Sequence, residues 1–281
     1  MEGSFVNVIS TRREDSHRCT PRMRKKSARV GTQRTISRSS EETRSPSAVT
    51  YYAVRMGQPS AKTSDNAFLR ELDETNRVHL ARISEKASVP SPNDEELDVK
   101  KLLVLALKNE LEATECAAAW IATTKEVRAK LSFARQAGDE AKHYRLIEDR
   151  LVELGFDARA HDPTSSPRSP LLSYLLSLET TVERVAAGQF TREALAVVRN
   201  DAFMRFCESR HDRATYAIYR DVIQPDEAHH HELGRRLLAE LAIDEASQDL
   251  ARKAAARTLE LAEELQEIAR LRFGIAHPPG C

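Results

Sequence analysis

Apolar residues recur at helical spacing through most of the chain beyond residue 65. Between Asn66 and Lys86, Phe68, Leu72, Leu80 and Ile83 share one stripe, which predicts an amphipathic helix. Ser88-Val89-Pro90-Ser91-Pro92 ends it. A second helix is predicted from Asp94 to Ala122, with Asn93 as its N-cap and acidic residues in its first turn. A third runs from Val127 to Leu154, closed by Gly155. Residues 156–170 are rich in helix breakers and read as a loop. Helical pattern resumes at Leu171 and continues to Glu208, with a kink expected at Gly188; since residues 156–170 alone are short for spanning the bundle, the alternative gives part of 171–185 to the crossover. A turn at Ser209–Asp212 leads to a helix ending near Leu241. The last helix spans 246–272, with Leu250, Leu261, Leu265 and Ile268 on one side. No segment stands out as a strand. The expected fold is all-α, an antiparallel helical bundle over 94–242 with a long connection between its second and third helices. A helix and linker over 66–93 precede it, and a helix and tail over 243–281 follow.

Residues 1–65 break this pattern and read as a disordered extension, either an interaction arm or a non-functional leader with Met56 as the true start. They carry 13 basic and 6 acidic side chains, against 30 and 37 in the remainder, so a net charge of zero conceals a split. A uniformly basic nucleic-acid binder is excluded, and only the arm could contact nucleic acid. No run of apolar residues is long enough for a membrane span, and the first ten residues lack the pattern of a secretory signal. Cys19, Cys116, Cys207 and Cys281 are widely separated, which excludes a zinc ribbon, a rubredoxin-type iron site or a CxxC redox pair. Free thiols fit a cytoplasmic protein.

The chemistry lies in two Glu-x-x-His pairs, Glu140/His143 on the third helix and Glu227/His230 on the fifth. Spacing i, i+3 places a carboxylate and an imidazole on one helix face. The motif alone is weak, since Glu14/His17 and Glu208/His211 also match. Context separates the two pairs. Phe133, Gln136, Glu140, His143 and Ile147 share a mostly apolar stripe, as do Ile223, Glu227, His230 and Leu237. A carboxylate on such a face requires an ion partner or a metal. The second helix adds Glu110 among Leu103, Ala106, Ala113, Ala117 and Ile121. In an antiparallel hairpin Glu110 and Glu140 lie at similar height.

These segments resemble the ferritin-like superfamily. Asn109–Ala113, Gly138–His143 and Arg150–Gly155 are similar to the first helix pair of bacterioferritin and rubrerythrin, and Ile223–His230 to their fourth helix. The similarity covers residues 95–242. It implies a four-helix bundle holding two iron ions (manganese fits the same donors) on Glu110, Glu140, His143, Glu227 and His230, with Glu140 and Glu227 bridging. The remaining ligand comes from the stripe of Glu179, Glu183 and Glu193. The family's spacing and the hairpin height favour Glu193, with Glu183 held as the alternative.

Among neighbours, His229 and His231 are expected to be solvated, and Trp120 and Tyr216 to sit in the core. Asp139 and Asp226 are placed to orient a histidine of the facing helix or to remain solvated. The resemblance leaves three functions open. The first is an O2- or peroxide-activating oxidoreductase acting on a small organic substrate, with electrons from a separate transfer protein. The second is a ferroxidase or peroxide-reducing protein, and the third a non-catalytic scaffold. A homodimer is compatible with each.

Overall fold

The computed structural model describes residues 66–87, 97–158, 160–275 and 278–280. The basic extension and the Pro/Ser linker, including Asn93 and Asp94, lie outside them. The described residues are all-α, with no strand among them. No helix among them is long and apolar enough to cross a membrane.

Helix α1 (Ala67–Ala87) buries the expected stripe of Phe68, Leu72, Leu80 and Ile83. Helix α2 (Val99–Thr123) is capped by Asp98 rather than Asn93, its carboxylate accepting the Lys101 amide at 2.7 Å. A three-residue link joins it to α3 (Val127–Glu153), and the two pack along their lengths. Their seam is mostly apolar, and at its middle Glu110, Gln136, Glu140 and His143 are buried.

The helical run from Leu171 is two elements, and its first part belongs to the crossover, the alternative that the short loop raises. Helix α4 (Pro170–Ser177) stops at Leu178, and Thr180 starts a new helix through a capping box with Glu183. That helix, α5, comprises Thr181–Arg184, a π-helical Val185–Arg192 and an α-helical Glu193–Ser209. The connection from α3 therefore includes a short 3-10 turn (Pro163–Ser165) and α4, which gives it the length to span the molecule. Helix α6 runs through Arg213–Ile218, π-helical Tyr219–Ile223 and Gln224–Leu241. Helix α7 (Glu245–Phe273) completes the fold. Of its expected stripe, Leu261 is buried but Ile268 is 43% exposed.

The centre of the molecule is the π segment of α5. Residues 184–197 are buried on every side, because α6, α7 and α1 pack around them. Gly188 marks a close approach. A Cβ there would lie 2.6 Å from Cζ3 of Trp120, the core anchor of α2. Gly234 of α6 does the same for backbone: its Cβ would lie 2.7 Å from the Gln189 carbonyl carbon and the Phe190 nitrogen. Polar ties complete the packing. Asn76 of α1 donates to Thr191 at 2.9 Å, and Gln189 donates to Ser132 of α3 at 2.9 Å.

Candidate metal centre

Six side chains from four helices meet inside the protein: Glu110 on α2, Glu140 and His143 on α3, Glu193 on α5, and Glu227 and His230 on α6. None is more than 2% exposed. They form two groups, Glu110/Glu140/His143/Glu227 and Glu140/Glu193/Glu227/His230, each with ligand atoms within 4.8 Å of one another. Glu140 and Glu227 belong to both. Glu183 is elsewhere, its carboxylate accepting from the Thr180 amide and hydroxyl as the helix cap.

Both imidazoles point the same way. His143 Nδ1 faces Glu140 Oε2 at 3.3 Å, Glu110 Oε2 at 3.5 Å and Glu227 Oε1 at 3.8 Å. Its Nε2 lies 3.1 Å from Asp226 Oδ2. His230 Nδ1 faces Glu227 Oε2 at 3.5 Å, Glu140 Oε1 at 3.7 Å and Glu193 Oε2 at 3.8 Å, and its Nε2 lies 3.1 Å from Asp139 Oδ2. Lys142 Nζ ties the two aspartates, 2.5 Å from Asp226 Oδ2 and 3.6 Å from Asp139 Oδ1. On the Glu193 side, Gln136 donates to Glu193 Oε1 at 2.5 Å, and the buried Arg192 guanidinium is 3.8 Å from the same oxygen.

Charge in this dry interior shifts the titrations. Burial, aided by the neighbouring Glu140 charge and opposed by His143, pushes Glu110 up to about 7. Burial and the charges of Glu140 and Glu193 raise Glu227 well above the carboxylate range. Burial would raise Glu140 too, but the His143 hydrogen bond and the His230 charge hold it down to about 2. Burial opposes charging of His143 and His230, yet their carboxylate partners raise both. The Asp226 carboxylate is held low, first by its hydrogen bond to His143.

A pair of divalent cations fits these residues. Glu193 Oε2, Glu227 Oε2 and His230 Nδ1 are buried with no hydrogen-bond partner among the described residues, all on the inward side of the cluster. Leaving buried polar atoms without a hydrogen-bond partner is costly. Two divalent cations would balance the four glutamates. Lys142 and Arg135, the latter 3.3 Å from Asp139, are placed to offset the two aspartates.

Two neighbours differ from expectation. His231 is fully buried, not solvated. Its Nδ1 donates to the Phe190 carbonyl at 2.6 Å, its ring stacks on Phe190 at 4.7 Å, and burial with the Arg235 charge lowers it to about 3. It is a fixed neutral strut between α6 and the π segment. Tyr216, expected in the core, is only partly buried, and the fully buried tyrosine near the cluster is Tyr219. Tyr219 is fully buried edge-on to Phe203, and burial with the Glu110 charge raises its pKa. Its hydroxyl has no hydrogen-bond partner among the described residues. The wider π turn at Tyr219–Ile223 brings residue 219 inward, where uninterrupted α-helical counting back from Glu227 favours 216.

No protein-family model matches the chain, and no curated protein matches it.

Proposed function

We propose that α2, α3, α5 and α6 form a ferritin-like antiparallel four-helix bundle around two iron ions, and that the protein is an oxidoreductase acting with O2 or peroxide on a small organic substrate. The observation that carries this reading is the membership of Glu140 and Glu227 in both ligand groups. Two mononuclear sites would not share a carboxylate from each helix pair. The donors are oxygen and imidazole nitrogen with no thiolate, a set that suits iron or manganese. Two iron(II) ions so held supply electrons together for reducing an O–O bond.

The protein's own groups prepare that chemistry. Asp226 and Asp139 accept from Nε2–H of His143 and His230, which turns each Nδ1 lone pair inward. Gln136 holds Glu193 through one oxygen and leaves the other facing the cluster. Burial of all six side chains excludes bulk water. With the four cysteines far apart in sequence, electrons are expected from a separate transfer protein.

Metal analysis of the full chain, followed by absorbance after the reduced protein meets O2, tests the reading. Two irons per chain and a transient absorbance change that decays without mineral growth are expected. Sustained iron uptake into a mineral would replace it with ferritin-like storage. Absence of bound metal would overturn it.

A further inference from the structure

A cavity of about 510 Å³ lies beside the cluster, walled by α2, residues 161–171, α7 and Pro278. Its size falls in the range of about 300–1,000 Å³ typical of small-molecule sites. The extra helix α7 builds one side of it. Leu105, Leu265 and Ile268 give it an apolar body, and three cations, Lys101, Lys108 and Arg199, share its wall. Among the described residues, the one carboxylate in the lining, Asp162, is engaged by the Thr164 amide at 2.9 Å and hydroxyl at 2.6 Å. Lys108 Nζ donates to Ser166 Oγ and the Pro167 carbonyl and lies 3.7 Å from Glu112 Oε1, which ties the loop to α2.

A single layer of chain separates this cavity from the cluster. Asn109 lines it and donates to the Pro279 carbonyl at 2.9 Å. The next residue of α2 is Glu110. Gly280 donates to Asn200 Oδ1 at 2.8 Å, and a Cβ on Gly280 would lie 3.5 Å from Glu110 Oε1. Pro278, Pro279 and Gly280 are all buried. One end of this short segment faces the cavity and the other touches a carboxylate of the cluster.

We propose that this cavity binds an organic anion with an apolar body, and that Pro278–Gly280 is its wall towards Glu110. Taking the anion as the substrate rests on the oxidative reading above; its binding does not. Cationic groups around a mostly apolar chamber favour a carboxylate over a neutral or cationic molecule of the same shape.

The test is calorimetric titration of the full chain with decanoate, decan-1-ol and decylamine, beside metal analysis of the same preparations. Decanoate is expected to bind at least about tenfold more tightly than either analogue. Leu105→Trp fills the chamber and should weaken decanoate at least about tenfold while both metals remain. Ile268→Trp, on the half-exposed rim, closes the same chamber and serves if the first variant fails to fold. Lys101→Glu should reduce the preference for decanoate over decan-1-ol. Equal binding of decylamine, or undiminished decanoate binding in both tryptophan variants, would overturn the proposal. Two metals without decanoate binding would end the cavity assignment alone. Decanoate binding to a chain that takes up no metal would end the metal centre alone.

Discussion

His143 and Asp226 face each other across the α3–α6 interface, Nε2 of the imidazole 3.1 Å from Oδ2 of the carboxylate. The partner comes from the facing helix, one residue before that helix's own cluster glutamate. His230 and Asp139 repeat the arrangement in the opposite direction at the same distance. Each Asp-Glu-x-x-His run thus supplies two inward donors for itself and one orienting carboxylate for the other. Asp226→Asn should weaken metal binding about 10- to 100-fold at the His143 position, because an amide holds the Nε2–H tautomer less firmly. Asp139→Asn should do the same at the His230 position. Competition against a chelator of known affinity reads both. Wild-type affinity in both variants would show that the aspartates do not orient the rings.

Metal binding should release protons and strengthen as pH rises. Glu110 is pushed up to about 7, and Glu227, His143 and His230 are also raised, so near pH 6 the metal-free cluster stores protons on these groups. Each must leave before its atom can bind a cation. The same shifts set the sign for stability. Between the ordinary value of 4.5 and about 7, the folded chain holds more protons at Glu110 than the unfolded chain does. Above the ordinary 6.5 it also holds more at both histidines. Below 6.5 His231, lowered to about 3, works the other way, so stability of the metal-free protein falls with pH most clearly from 6.5 to 8. Titration calorimetry in two buffers of different ionisation enthalpy counts the protons, and melting curves with and without metal give the slope. A metal-free Tm that climbs across this range, with no proton release on loading, would contradict the assignment.

Much of this arrangement was legible in residue spacing because buried stripes on regular helices repeat predictably. Glu110, Glu140, His143, Glu227 and His230 interrupt such stripes, and matching heights in the two hairpins selected Glu193 over Glu183. Three features were not legible. The helix break at Leu178–Thr180 depends on a capping box whose residues also suit a helix interior. The π segments carry no signature in an α-helical count, so the full burial of Tyr219 in place of Tyr216 was not visible. The burial of His231 follows from the approach of α6 to the Phe190 backbone, a tertiary contact outside any single helix.

That approach depends on Gly234. An added methyl would press on the Gln189–Phe190 backbone at 2.7 Å, which cannot rotate away as a side chain can. Gly234→Ala should cost about 1–3 kcal/mol or more and displace α6, lowering both Tm and metal content. Gly188→Ala meets the Trp120 ring instead, so its loss should be partly restored by Trp120→Phe. Calorimetric melting of the three variants checks this. Wild-type Tm for Gly234→Ala would mean that the helix contact is looser than described.

Glu193 and Glu183 lie ten residues apart on α5 and should separate cleanly in function. Glu193 is fully buried, and its Oε2 sits 3.8 Å from His230 Nδ1 in a group that shares only Glu140 and Glu227 with the other. Glu193→Gln leaves an oxygen in place but removes the charge, so the cation held by that group should be lost while the Glu110/His143 group keeps its own. Metal content should drop from two ions per chain to one. Glu183→Ala removes half of a capping box and should cost about 0.3–1.5 kcal/mol with both metals retained. The reverse pattern, two metals in Glu193→Gln and a deficit in Glu183→Ala, would move the fourth carboxylate of the site to a different turn of the helix.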